Sequence, residues 1–101
     1  METDICAKDG RAVIRLVGRF DVSGRRAFRE AVEQALEPGD VREVEVDLGG
    51  VAYLDSSALG MLLVLRDKAR AANRGVTLVN CKGGVKQVLD IANFSKLFPI
   101  T

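Results

Sequence analysis

Residues 53–60 read YLDSSALG: Tyr53-Leu54-Asp55-Ser56-Ser57-Ala58-Leu59-Gly60. The chain changes its period around this segment. Upstream, Val41–Leu48 alternates: Val44, Val46 and Leu48 are expected to point inward, and Glu43, Glu45 and Asp47 outward, the pattern of a half-buried strand. Downstream, from about Ser57 to Asn73, apolar residues recur at helical spacing, and Gly75 stands where a helix closes at its C′ position. A strand giving way at once to a long helix is one βα unit, and the rest of the chain is read around it.

On the N-terminal side, Lys8-Asp9-Gly10-Arg11 fits a type I′ hairpin turn, because Asp-Gly tolerates the positive φ that both central positions need. The turn joins a short strand near Asp4–Ala7 to a longer one over Ala12–Gly18, where Ile14 and Leu16 alternate with Val13, Arg15 and Val17. Gly18 to Gly24 reads as a turn-rich link into a helix with the core stripe Phe28, Ala31, Val32, Ala35 and Leu36, stopped by Pro38-Gly39. On the C-terminal side, uncharged Val76–Val79 reads as a central strand. Gly83-Gly84 opens a third helix, with Val85, Val88, Leu89 and Ala92 on one face. Phe94–Ile100 is expected to pack back as a lid or a last short strand. The order β-β-α-β-α-β-α predicts one α/β domain over residues 1–101: a mixed, mainly parallel sheet with an N-terminal hairpin and crossover helices.

Composition narrows the function classes. Fifteen basic and fourteen acidic residues leave a formal charge of +1, with no like-charge run suited to nucleic acid or an anionic membrane. Arg25-Arg26 with Arg29 is the densest basic cluster and reads as the solvated face of a helix. Cys6 and Cys81 form no C-x-x-C and are too isolated for a metal site, so both are expected free, in a reducing compartment. The first residues, METDICAKDG, lack the basic and apolar regions of a signal peptide, and no apolar run approaches the roughly 20 residues that span a bilayer. The expectation is a cytoplasmic protein, monomeric when free, without cofactor, nucleic acid or membrane partner.

Advancing about 100° per residue along the helix after the serines places Ala58, Leu62, Leu65, Ala69 and Ala72 on its core face. Gly60, Leu63, Val64, Asp67 and Ala71 lie nearly opposite, so the first two turns are apolar where a surface helix is usually polar. Either neighbouring loops cover Gly60, Leu63 and Val64, or these residues form an apolar patch open to a partner. Gly60 costs the helix about 0.5–1 kcal/mol relative to Ala, and it allows another surface to come close.

Three chemistries suit Asp55-Ser56-Ser57. Any of the three residues can cap the helix, although one cap does not need three polar residues. A serine nucleophile needs a base, but the chain has no histidine, and neither G-x-S-x-G nor S-x-x-K is present at these serines. No Walker-type loop exists either, so an enzyme is not expected. The third chemistry is phosphate acceptance. Free N–H groups and the dipole at a helix N-terminus favour negative charge. A phosphate there adds about −2 charge to an otherwise apolar contact surface, and like charge placed in an interface costs several kcal/mol.

Leu48 to Arg66, LGGVAYLDSSALGMLLVLR, resembles the signature of the STAS domain, and specifically that of the bacterial anti-sigma factor antagonists. Gly18-Arg19-Phe20-Asp21 matches the family's G-x-[LIF]-D, and the resemblance extends over nearly the whole chain. It implies that Ser56, immediately after Asp55, is the phosphorylated serine. The modifying partner would be an anti-sigma factor that is also a serine kinase of the histidine-kinase-like ATPase type, and a PP2C-type phosphatase would remove the phosphate. Unphosphorylated, the antagonist would bind the anti-sigma factor and free the sigma factor. The resemblance further implies that Asp55 orients Ser56, that Asp21 lies nearby at the same end of the sheet, and that Ser57 is a helix-start residue. With Gly60, Leu63 and Val64 these complete the expected partner-binding set. One departure is Ala58, where many members carry Gly; its methyl is expected to narrow the space a kinase loop enters. A second expectation, from another class, is an accessory or scaffold subunit of a transport or other regulatory assembly with no phospho-switch.

Overall fold

In the computed structural model, which describes residues Met1–Thr101, Asp9 and Gly10 have φ of +55° and +79°, so the hairpin turn forms where the Asp-Gly pair predicts it. It joins strands β1 (Glu2–Lys8) and β2 (Arg11–Phe20), paired antiparallel. Helix α1 (Arg25–Leu36), strand β3 (Glu43–Leu54), helix α2 (Ser56–Ala71), strand β4 (Gly75–Val79) and helix α3 (Gly83–Ile91) follow. The sheet order is β1-β2-β3-β4, with β2, β3 and β4 mutually parallel. Because the parallel strands advance in one direction and crossovers are right-handed, α1 and α2 fall on the same face of the sheet. That face holds the core: Ala12, Ile14 and Leu16 of β2, Val44, Val46 and Leu48 of β3, and Leu78 of β4 are all buried.

The opposite face carries charge and hydrogen bonds instead of apolar packing. Arg11 pairs with Glu45 at 3.3 Å, and Thr77 donates to the Glu43 carboxylate at 2.6 Å. Asp47 departs from the expected outward, solvated position, since only 9% of it is exposed. Its carboxylate accepts from the Gly49 N–H at 2.9 Å, from Asn80 Nδ2 at 3.0 Å and from Arg15 Nε at 3.4 Å. Alternation assigned the correct face, but these neighbours from β2, from β3 itself and from the turn after β4 close over the side chain.

Other boundaries move for identifiable reasons. The link expected from Gly18 is strand as far as Phe20. Gly18, at φ +102°, stands where the β2–β3 register slips, after which Arg19 and Phe20 rejoin the ladder opposite Tyr53 and Leu54. β3 likewise runs on to Leu54 through Gly49-Gly50, because Gly50 lies at a second register shift where a Cβ would approach the Leu16 carbonyl to 3.0 Å. α2 begins at Ser56 and ends at Ala71, leaving Ala72 exposed at the C-cap and outside the core stripe. Asn73, at φ +62°, takes the left-handed position assigned to Gly75, which instead opens β4.

β4 is not central, since β2 and β3 occupy the middle of the sheet. Its uncharged sequence answers to a tail that lies along its outer edge. Leu78 makes a single parallel bridge to Ile100, with the Leu78 N–H donating to the Pro99 carbonyl and the Thr101 N–H to the Leu78 carbonyl. The tail is thus a last short strand contact rather than a lid.

Candidate functional site

The parallel pairing of Phe20 with Leu54 ends β2 and β3 side by side, so Asp21 and Asp55 leave the sheet together. At β3 the chain turns directly into α2. Asp55 sits in extended conformation (φ −123°, ψ −171°), and its Oδ1 accepts the Ala58 N–H at 3.1 Å. Of the three polar residues, Asp55 therefore supplies the cap. Ser56 is the first helical residue and is exposed, whereas Ser57 is half-buried. The first N–H groups of a helix have no intrahelical acceptor. Ala58's goes to Asp55, which leaves those of Ser56 and Ser57 at the helix start. Asp55 thus fixes the turn that presents Ser56, while the Ser56 hydroxyl is not needed for the cap.

Ala58 is fully buried, so its methyl packs into the core instead of narrowing the outer surface as the resemblance suggested. Asp21 is at the expected end of the sheet, but its carboxylate serves its own turn. Oδ1 accepts from the N–H and the hydroxyl of Ser23, and Oδ2 lies 3.5 Å from Arg19 Nε. The Ser23 hydroxyl bond, above all, holds the Asp21 carboxyl below its ordinary range.

Along α2, Gly60 is exposed and Val64 is 54% exposed, so no loop covers them. Leu63 behaves differently and packs partly against the core. On its flank, one turn on, Arg66 donates to the Leu97 carbonyl at 3.0 Å, which brings the tail across that side of the helix. The apolar patch is therefore Gly60 and Val64 with Ser57, which together line a groove of about 450 Å³ between α1 and α2. Asp21 and Leu63 do not line it.

Two residues that the sequence reading passed over belong to this end of the sheet. Tyr53 is 43% exposed, and the Arg19 guanidinium stacks on its ring at 4.3 Å from the centroid. Continuing the alternation of β3 through Tyr53, the chain's one tyrosine, would have placed it outward beside Asp55. No group of three His, Cys, Asp or Glu residues is disposed to hold a metal ion, and no helix is long and apolar enough to cross a membrane.

Comparison with known proteins agrees with this architecture. The family model described as "Mlab, STAS domain" matches residues 4–99. A STAS-domain containing protein of Pseudomonas aeruginosa (strain UCBPP-PA14) is 45% identical over 101 residues, which are 98% of this chain and 97% of that protein. BtrV of Bordetella bronchiseptica, named as a candidate anti-sigma factor antagonist, is 25% identical over 92 residues, 91% of this chain and 78% of BtrV. The fold is similar to that of the anti-sigma factor antagonist SpoIIAA in its unphosphorylated form, with a TM-score of 0.73 at 19% identity over 99% of this chain and 87% of the other. The phosphorylated form of the Bacillus SpoIIAA gives the same TM-score, 0.73, at 19% identity over 99% of this chain and 91% of the other.

Proposed function

This chain belongs to the STAS family, and from that premise we propose that it is an anti-sigma factor antagonist switched by phosphorylation of Ser56. Unphosphorylated, it binds an anti-sigma factor that is also a serine kinase, and so releases a sigma factor for transcription. In the kinase reaction the Ser56 Oγ attacks the γ-phosphorus of the kinase's ATP. The new O–P bond replaces the bond to ADP, and the hydroxyl proton passes to a base on the kinase. A PP2C-type phosphatase hydrolyses the phosphoserine and resets the switch. The protein itself acts as a binding partner and not as an enzyme, in the cytoplasm and as a monomer when free.

The observation that carries this reading is the exposure of Ser56 in the first turn of α2 while Asp55 does the capping. Phosphorylation there leaves the fold's own hydrogen bonds in place. It adds about −2 charge beside Ser57, Gly60 and Val64, at a helix start that tolerates it. Asp55 orients the acceptor, and Asp21 sits alongside it at the same end of the sheet. Leu63 contributes through its packing beneath the exposed surface more than by direct contact. STAS membership alone is equally compatible with an accessory subunit; the free Ser56 hydroxyl favours the switch.

Incubating the protein with ATP and extract of its native cells, then mapping phosphopeptides by mass spectrometry, tests the modification. Phosphate is expected on Ser56 and absent from Ser56→Ala. Phosphate solely on other residues, or none at all, would overturn the reading.

A further inference from the structure

The groove between α1 and α2 has a charge pattern to which the Ser56 hydroxyl itself contributes nothing. Its floor is apolar, with Phe28 from α1 and Met61 from α2 both buried there. Its lining is cationic at both ends: Arg25 and Arg29, one turn apart at the start of α1, and Lys68, near the end of α2, border it, and no acidic residue does. The whole chain carries fourteen acidic residues against fifteen basic ones, so this is a local segregation of charge. None of the three cations is neutralised inside the fold. The ion pairs are Arg11–Glu45, Arg15–Asp47, Arg19–Asp21 and Lys86–Asp90.

We infer that this groove receives an amphipathic α-helix of the partner, with Asp or Glu residues flanking its apolar stripe. This rests on the reading that the start of α2 binds a partner, and it names the partner's chemistry. The α2 wall runs from Ser57 to Lys68, a length of about 16 Å at the helical rise, or three turns. Val64 is exposed along that wall, and above Gly60 there is open space, since a Cβ added there meets nothing within 4 Å. Its volume of about 450 Å³ is within the range of small-molecule clefts, but the lining spans three turns of α2 and leaves Gly60 and Val64 exposed, which suits an extended occupant. Both walls are helices whose backbone groups are already bonded, so an added strand finds no edge. A helix laid apolar side down fits both facts, and three unpaired cations select acidic flanks. Ser57 lines one end of the groove. Phosphate on the adjacent Ser56 therefore brings negative charge to the mouth of a site that takes negative charge, and like-charge repulsion displaces the helix.

The test uses a synthetic helix of about four turns, with leucines on one stripe and glutamates flanking it, and a twin carrying lysine in place of every glutamate. Each is titrated into the isotope-labelled full chain and followed by amide-resolved NMR. The glutamate peptide is expected to shift the amides of Phe28, Gly60 and Val64 and to bind at least about tenfold tighter than its twin. Arg25→Glu/Arg29→Glu/Lys68→Glu is expected to invert that preference, and the corresponding triple Gln variant to abolish it; unchanged amide dispersion in both variants verifies folding. Absence of saturable shifts, shifts away from the groove, or a preference that charge reversal leaves unaltered would overturn the inference. The phospho-switch is judged separately, by whether the native partner discriminates Ser56→Ala from Ser56→Asp, so either idea can fail alone.

Discussion

At Asp55 a carboxylate accepts the Ala58 N–H and starts α2, and one residue later an exposed hydroxyl stands free of that task. Asp55→Ala is accordingly expected to lower stability by about 1 kcal/mol, as lost N-caps do, while Asp55→Asn retains most of it; thermal melts check both. Asp47 is the other carboxylate with structural work. Burial pushes its carboxyl up, but the hydrogen bonds from Asn80, the Gly49 N–H and Arg15 outweigh burial and hold it below its ordinary value of 3.8. A depressed folded-state value means that its contribution is complete above the unfolded-state value and is lost as pH falls through the folded one. Asp47→Asn should therefore cost about 1–2 kcal/mol near neutral pH and flatten the loss of stability below about pH 4; urea unfolding along a pH series measures both. The cap was legible in the sequence because Asp and Ser at a strand-to-helix junction have few other uses. The burial of Asp47 was not, since alternation gives the side of a strand and says nothing of what closes over it.

Helix α2 holds most of the site, and its exposed flank makes two predictions. Above Gly60 nothing lies within 4 Å of an added Cβ. Gly60→Ala is thus expected to stabilise the free protein by about 0.5–1 kcal/mol while weakening partner binding, because the close approach is lost. Stabilisation without any loss of binding would show that Gly60 serves no interface. Val64→Asp, on an exposed position, should leave stability within about 0.5 kcal/mol yet abolish capture of the partner. The helical period identified Ala58, Leu62, Leu65 and Ala69 as core, and all four are fully buried. It missed that Leu63 turns partly inward, because the tail that meets this flank through Arg66 and Leu97 comes from thirty-one residues away. The α1 wall of the groove was hidden for the same reason: Arg25 and Arg29 are solvent-exposed, as a solvated face should be, but that they border a groove shows only once α2 lies beside α1.

For the molecule as a whole, the alternation of strand and helix periods made the α/β class and the mixed sheet legible, and the Asp-Gly turn located the hairpin. The centre of the sheet was misjudged because a strand without charges looks buried on both sides, whereas β4 owes its character to a tail along its edge. That tail is also hydrogen-bonded to the backbone of a residue whose thiol is buried. The Cys81 N–H donates to the Thr101 carbonyl at 3.0 Å, and burial pushes the Cys81 thiol up to about 11. In the native protein Cys6, which is exposed, is expected to react with iodoacetamide, and Cys81 only after unfolding, as mass spectrometry of labelled peptides would record. The central claim, a surface whose partner is released by charge on Ser56, is tested most directly by presenting Ser56→Ala and Ser56→Asp proteins as baits to extract of the native cells. The account predicts that Ser56→Ala retains an anti-sigma factor of the histidine-kinase-like ATPase type and that Ser56→Asp loses it. Retention of that same partner by both baits would contradict it, leaving Ser56 only the start of a helix.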